Sequence, residues 1–129
     1  MAVTIIPLGL AGASADVDDK IIRDTDSDGT AEQNVADGAT SLYVAHFDNA
    51  ANGAASYAKF YNLAAPTVGT SEPELIIPLP ASGRRTLVCN EGHRFTVALS
   101  VASVTAGGTA GTTGPTSDVA IDLSVGDAI

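Results

Sequence analysis

The sequence predicts an all-β domain: an antiparallel β-sandwich, Ig-like or jelly-roll-like, of about seven or eight strands with an extended N-terminal arm. Three observations lead there. Apolar residues recur at every second position in short runs, the period of a strand with one buried face. Turn formers separate those runs, with 13 Gly and 6 Pro among 129 residues. Helix-favouring residues other than Ala and Leu are scarce, with two Lys, four Glu and one Met in the whole chain. A parallel α/β fold needs crossover connections, usually helical, and no segment between the runs reads as one.

Taken in order, residues 1–19 form the arm and residues 20–129 a single sandwich domain. The opening apolar stretch imitates a secretory signal, but no Lys or Arg precedes it and Pro7 interrupts it. It reads instead as an extended arm or an extra edge strand. A short Ile21-Ile22 strand leads into an acidic turn. Residues 41–48 place Tyr43, Ala45 and Phe47 on one face and Leu42, Val44 and His46 on the other, so this strand is expected to be central. Residues 56–63 alternate Tyr57, Lys59 and Tyr61 against Ala58, Phe60 and Asn62. The run 75–79 contains Pro78, which cannot donate to a ladder and therefore belongs at an edge or a bulge. Arg85, Leu87 and Cys89 alternate next. Phe95, Val97, Leu99 and Val101 form the clearest stripe, and Val119, Ile121, Leu123 and Val125 the last. Asn52-Gly53, Val68-Gly69, Ser82-Gly83 and Glu91-Gly92 mark turns whose glycines tolerate positive φ. The small-residue loop 106–117 is expected to lie against another surface, such as a neighbouring subunit.

Size and charge narrow the function. A folded chain of this mass buries about two thirds of its unfolded surface, enough for a core without metals or disulfides. A formal net charge of −9 with six Lys and Arg disfavours nucleic-acid binding. No apolar run approaches the roughly 18 residues a membrane-spanning helix needs. The one cysteine, Cys89, excludes an internal disulfide and suits folding in a reducing compartment, where it acts as a small buried hydrophobe. A Gly-x-Ser-x-Gly elbow, a phosphate loop and a dinucleotide fingerprint are all missing, so the chain is not expected to be an enzyme.

The strongest local motif is Asp24-Thr25-Asp26-Ser27-Asp28-Gly29, three alternate carboxylates and a glycine, as in the first half of a calcium loop. Glu32 fits the ninth position, but Val35 stands where a bidentate Glu belongs, and no helical pattern flanks the loop. The incomplete count favours a solvated acidic turn without a cofactor, with calcium held by Asp24, Asp26 and Asp28 as the alternative. His46 and His93 are the two histidines; Cys89, Glu91 and His93 lie near one another in sequence but lack further ligands for zinc. Arg84-Arg85 is the one basic pair, read equally as an anchor for an acidic partner surface and as charge that blunts an edge strand.

Residues 41–63 (Ser-Leu-Tyr-Val-Ala-His-Phe-Asp-Asn-Ala-Ala-Asn-Gly-Ala-Ala-Ser-Tyr-Ala-Lys-Phe-Tyr-Asn-Leu) resemble small virion proteins of tailed bacteriophages, cyanophages among them. The likeness continues through residues 65–70 and 77–81, then Glu91-Gly92-His93-Arg94-Phe95 and residues 100–108, about half the chain. The resemblance implies a β-sandwich structural protein: a capsid decoration or cement protein on the outer capsid surface of the virion, assembled in the host cytoplasm. Its partners would be the major capsid protein and other copies of itself, with no catalytic residues carried over. Val3, Ile5, Ile6 and Leu8 of the arm, with Arg84 and Arg85, are the candidate contact residues. A tail, neck or fibre component and a calcium-stabilised extracellular binding module are the competing readings.

Overall fold

The computed structural model describes residues 3–7 and 18–127. Among them are eight strands and no helix: β1 (Val3–Pro7), β2 (Asp18–Ser27), β3 (Thr40–Asp48), β4 (Ser56–Tyr61), β5 (Leu75–Leu79), β6 (Arg84–Phe95), β7 (Ser100–Val104) and β8 (Val119–Asp127). Five form one sheet in the order β1-β2-β8-β3-β6, and three form another in the order β5-β4-β7. Every pairing is antiparallel. The β3–β4, β5–β6, β6–β7 and β7–β8 connections each cross from one sheet to the other, so neither sheet is a separable unit.

The core lies between the sheets. Val119, Ile121, Leu123 and Val125 of β8 are all buried, as their alternation predicts. They share one cluster with Ala45 and Phe47 of β3 and with Ala58, Phe60, Ile77, Leu79 and Val101 of the smaller sheet. Phe60 meets Phe47 at a ring-centroid distance of 5.8 Å and Phe95 edge-on at 6.5 Å. Aromatic pairs in these geometries contribute about 0.5–1.5 kcal/mol each beyond the area they bury. β3 is central, and Pro78 sits exposed in β5, an edge strand, where its missing N–H costs the ladder least. β1 pairs with β2 from Val3↔Asp24 to Pro7↔Lys20, so this part of the arm is an edge strand of the chain's own sheet.

Several local expectations are corrected. The register of β3 shifts between Leu42 and Val44 against both neighbours. This bulge at Tyr43 turns Leu42 to the same inward face as Ala45 and Phe47, where all three are fully buried. The Glu91-Gly92 turn is a wide bulge inside β6, because Leu42 pairs with His93 and Val44 with Val88. Cys89 lies in that bulge, half-buried and outside the core. The Phe95–Val101 stripe is not one strand: Phe95 ends β6, Val97 is 55% exposed, and β7 begins at Ser100. At the Ser82-Gly83 turn the positive φ falls on Ser82 (53°). Gly83 is required instead by close approach, since a Cβ there would come within 2.9 Å of the Pro80 ring.

The loop of residues 106–117 packs on its own domain. Lys59 points away from the main core yet is fully buried, and its Nζ donates to the carbonyls of Thr109 (3.2 Å) and Gly111 (2.8 Å). Burial pushes the Lys59 ammonium below the usual lysine range. A second buried cluster of Ala31, Tyr61 and Ala102 lies beside the main one, with Val68 against it. Asn52 ties three loops: its Nδ2 donates to Asn49 Oδ1 and to the Ser117 carbonyl, and its own carbonyl accepts from Ser82 N–H.

Two outcomes follow from this packing. Phe60→Ala is expected to destabilise the domain by about 3–5 kcal/mol in urea unfolding, the usual cost of truncating a core phenylalanine. Lys59→Met, which keeps the apolar stem and removes the donors, should speed amide hydrogen exchange across residues 106–114 while leaving β8 protected.

Candidate functional site

The calcium-like motif does not form a loop. Strand β2 runs through Asp24, Thr25 and Asp26 to Ser27, and its alternation puts Asp24 on the same inward face as Ile22. The carboxylate of Asp24 is therefore buried, 1% exposed. A register shift against β8 between Asp24 and Ser27 kinks the strand end, and Asp26 N–H donates to Asp24 Oδ1 at 3.1 Å. Beyond the strand the chain crosses to the smaller sheet. Ser103 N–H donates to the Asp28 carbonyl, and Glu32 and Val101 exchange backbone hydrogen bonds of 2.8 and 3.0 Å. That bridge fixes Glu32, 3% exposed, over the end of β2.

Asp24, Asp26 and Glu32 consequently each offer a ligand oxygen, and these oxygens lie within 4.8 Å of one another. Two of the three predicted calcium ligands are brought together, and the third is not. Asp28 Oδ1 instead accepts from Thr30 N–H at 2.8 Å, closing a local turn. Gly29 serves a close approach: a Cβ there would fall 2.7 Å from the Thr112 carbonyl oxygen. The ninth position of the motif hinted at Glu32, but only its pairing with β7 reveals how the residue reaches the cluster.

The electrostatics follow from burial. Desolvation is the largest cause pushing the Asp24 carboxyl up to about 7 from an ordinary 3.8, with Glu32 and Asp26 adding like-charge repulsion. Glu32 is raised by burial first and by the charge of Asp26 second. Among the described residues Asp24 Oδ2 is buried with no hydrogen-bond partner. Buried charge of this kind is costly unless a proton or a cation offsets it.

The other candidates lie elsewhere. His46 Nδ1 is 2.9 Å from Thr86 Oγ1, and His93 Nε2 is 2.8 Å from Glu74 Oε2. Neither histidine joins Cys89 or Glu91 in a metal-capable group among the described residues. Arg84 Nε is 3.2 Å from Asp48 Oδ2 on the surface, and an Arg85 guanidinium nitrogen donates to the Pro78 carbonyl at 2.9 Å. Both arginines line an open groove of about 430 Å³ with Ala55, Pro78, Leu79 and Pro80. Val3 packs against the core, Ile5 is 46% exposed, and Ile6 is half-buried. Leu8 lies outside the described residues. Comparison with known proteins finds no matching family model, no matching curated protein and no matching solved structure.

The raised carboxyl has a stability consequence whose sign is fixed. The folded state holds the Asp24 proton more tightly than the unfolded state, so its contribution is present below about pH 4 and lost as pH rises through about 7. In chelator-treated protein, Asp24→Asn should match the parent near pH 4 and exceed it near pH 8 by on the order of 3 kcal/mol. Urea unfolding across that range measures the difference.

Proposed function

We propose that this chain is a non-enzymatic virion structural protein: a capsid decoration or cement protein that binds the outer shell through the major capsid protein and holds neighbouring capsomers together. What carries the reading is the sequence resemblance of stretches within residues 41–108 to small virion proteins of tailed phages. In the fold that span supplies β3 to β7, strands of both sheets, together with Phe47, Phe60 and Phe95. The likeness thus covers the smaller sheet and two strands of the larger one, while β1, β2 and β8 lie outside it.

Charge and shape support the reading. A net charge of −9 suits an outer capsid surface and disfavours residence beside packaged DNA. A cement protein acts by mass action, binding the assembled shell more tightly than its separated parts. Two surfaces fit such a contact. One is the outer edge of β1, last in its sheet, where a partner strand can add and where Ile5 is exposed. The other is the open apolar groove between Pro78, Leu79 and Pro80, flanked by Arg84 and Arg85.

Quantitative mass spectrometry of purified particles tests the proposal. The expected result is a copy number equal to that of the major capsid protein or a regular fraction of it. A handful of copies moves the chain to the tail, neck or fibre, and absence from the particle overturns the virion reading altogether.

A further inference from the structure

We propose that Asp24, Asp26 and Glu32 form a binding site for a hard divalent cation, calcium in preference to magnesium, which clips the two sheets together at the end of β2. The inference does not depend on the virion reading. It rests on placement and on one unsatisfied atom.

Placement comes first. Three carboxylates from two separate stretches of backbone converge, with all three ligand oxygens within 4.8 Å of one another. Oxygens bound to one calcium at about 2.3–2.6 Å lie at most about 5 Å apart, so the cluster needs no rearrangement of the backbone to share an ion. Each ligand is held from behind. Asp24 is fixed by the β1–β2 and β2–β8 ladders, Asp26 by the hydrogen bond from its amide to Asp24, and Glu32 by its two bonds to Val101. A set of carboxylate oxygens without thiolate or imidazole selects hard cations. Magnesium keeps most of its water and favours fewer protein carboxylates, which makes calcium the better match.

The unsatisfied atom is Asp24 Oδ2. It sits on a side chain 1% exposed, on the inward face of the sandwich, with no hydrogen-bond donor among the described residues. Inward-facing positions of such a fold are ordinarily apolar, and a buried carboxylate oxygen without a partner calls for an explanation, of which a bound ion is one. The neighbouring carboxylates cannot donate to it unless protonated. A divalent cation answers the orphaned oxygen and the mutual repulsion of the acids at once. Because Asp24 and Asp26 belong to the five-stranded sheet and Glu32 is bridged to β7 of the other, the ion would join the two sheets.

The test uses the full chain, freed of metal with a chelator and returned to buffer near neutral pH. Calorimetric titration with calcium chloride should show one saturable site, weaker with magnesium chloride, and the thermal midpoint should rise with calcium. Glu32→Gln should weaken binding about tenfold or more. Asp28→Asn, which alters the linear motif and lessens the negative field at Glu32 but removes none of the three converged ligands, should bind within a few-fold of the parent. Asp24→Asn should lose binding while melting no lower than the calcium-free parent, which separates a lost ligand from a lost fold. Absence of binding heat and of any calcium-dependent melting shift overturns the site in favour of a shared proton. Magnesium binding as tightly as calcium overturns the choice of ion, and loss of binding in Asp28→Asn overturns the choice of ligands.

Discussion

Phe60 projects from the middle strand of the smaller sheet into the gap between the sheets, where it meets Phe47 of β3 and Phe95 at the end of β6. These are the three phenylalanines of the chain, and they join both layers at one point. Much of the remaining architecture depends on that contact. It requires β3 to present Phe47 inward, and the bulge at Tyr43 then lets Leu42 share the same face. It also requires β6 to end with Phe95 inward, although most of that long edge strand faces solvent. With one tryptophan-free aromatic cluster, the rest of the core is filled by Val, Ile, Leu and Ala, whose small volumes suit two closely packed sheets.

Against that apolar interior the acids at the end of β2 stand out. Alternation forces Asp24 inward because Ile22 is inward, and the bridge between Glu32 and Val101 closes over it. The arrangement is costly for folding and requires a counter-charge, whether a proton or an ion. It also lies where the chain passes from one sheet to the other, so whatever satisfies the carboxylates bears on how the layers are held. Lys59 is the mirror case on the outer face of the smaller sheet. There a buried ammonium is met by two carbonyls of a small-residue loop, which is held against the sheet for that reason.

A sandwich of this kind presents edges and open grooves as its means of contact. The β1 edge and the groove beside Arg84 and Arg85 are the surfaces the proposed capsid contact would use, and both belong to elements that the core fixes in place. The arginines are already engaged with Asp48 and the Pro78 carbonyl, and an exposed ion pair of this sort contributes only about 0–1 kcal/mol to stability. Releasing them toward a partner therefore costs the fold little.

The class of the fold was legible in the residue pattern alone. Period-2 alternation in residues 41–48, 56–61 and 119–125 reads directly as strands, because side chains on a pleat must alternate between faces. Pro78 marked an edge strand through its missing donor. The sequence also showed three acids in a row at alternate positions, but linear spacing could not reveal that Asp28 turns back on Thr30 while Glu32 takes its place. Likewise the stripe from Phe95 to Val101 looked continuous, yet its residues divide between β6, a connection and β7. Long-range pairing settles these points. Bulges, crossings between sheets and the Glu32–Val101 bridge are set by hydrogen bonds between residues far apart in the chain, and local periodicity carries no record of them.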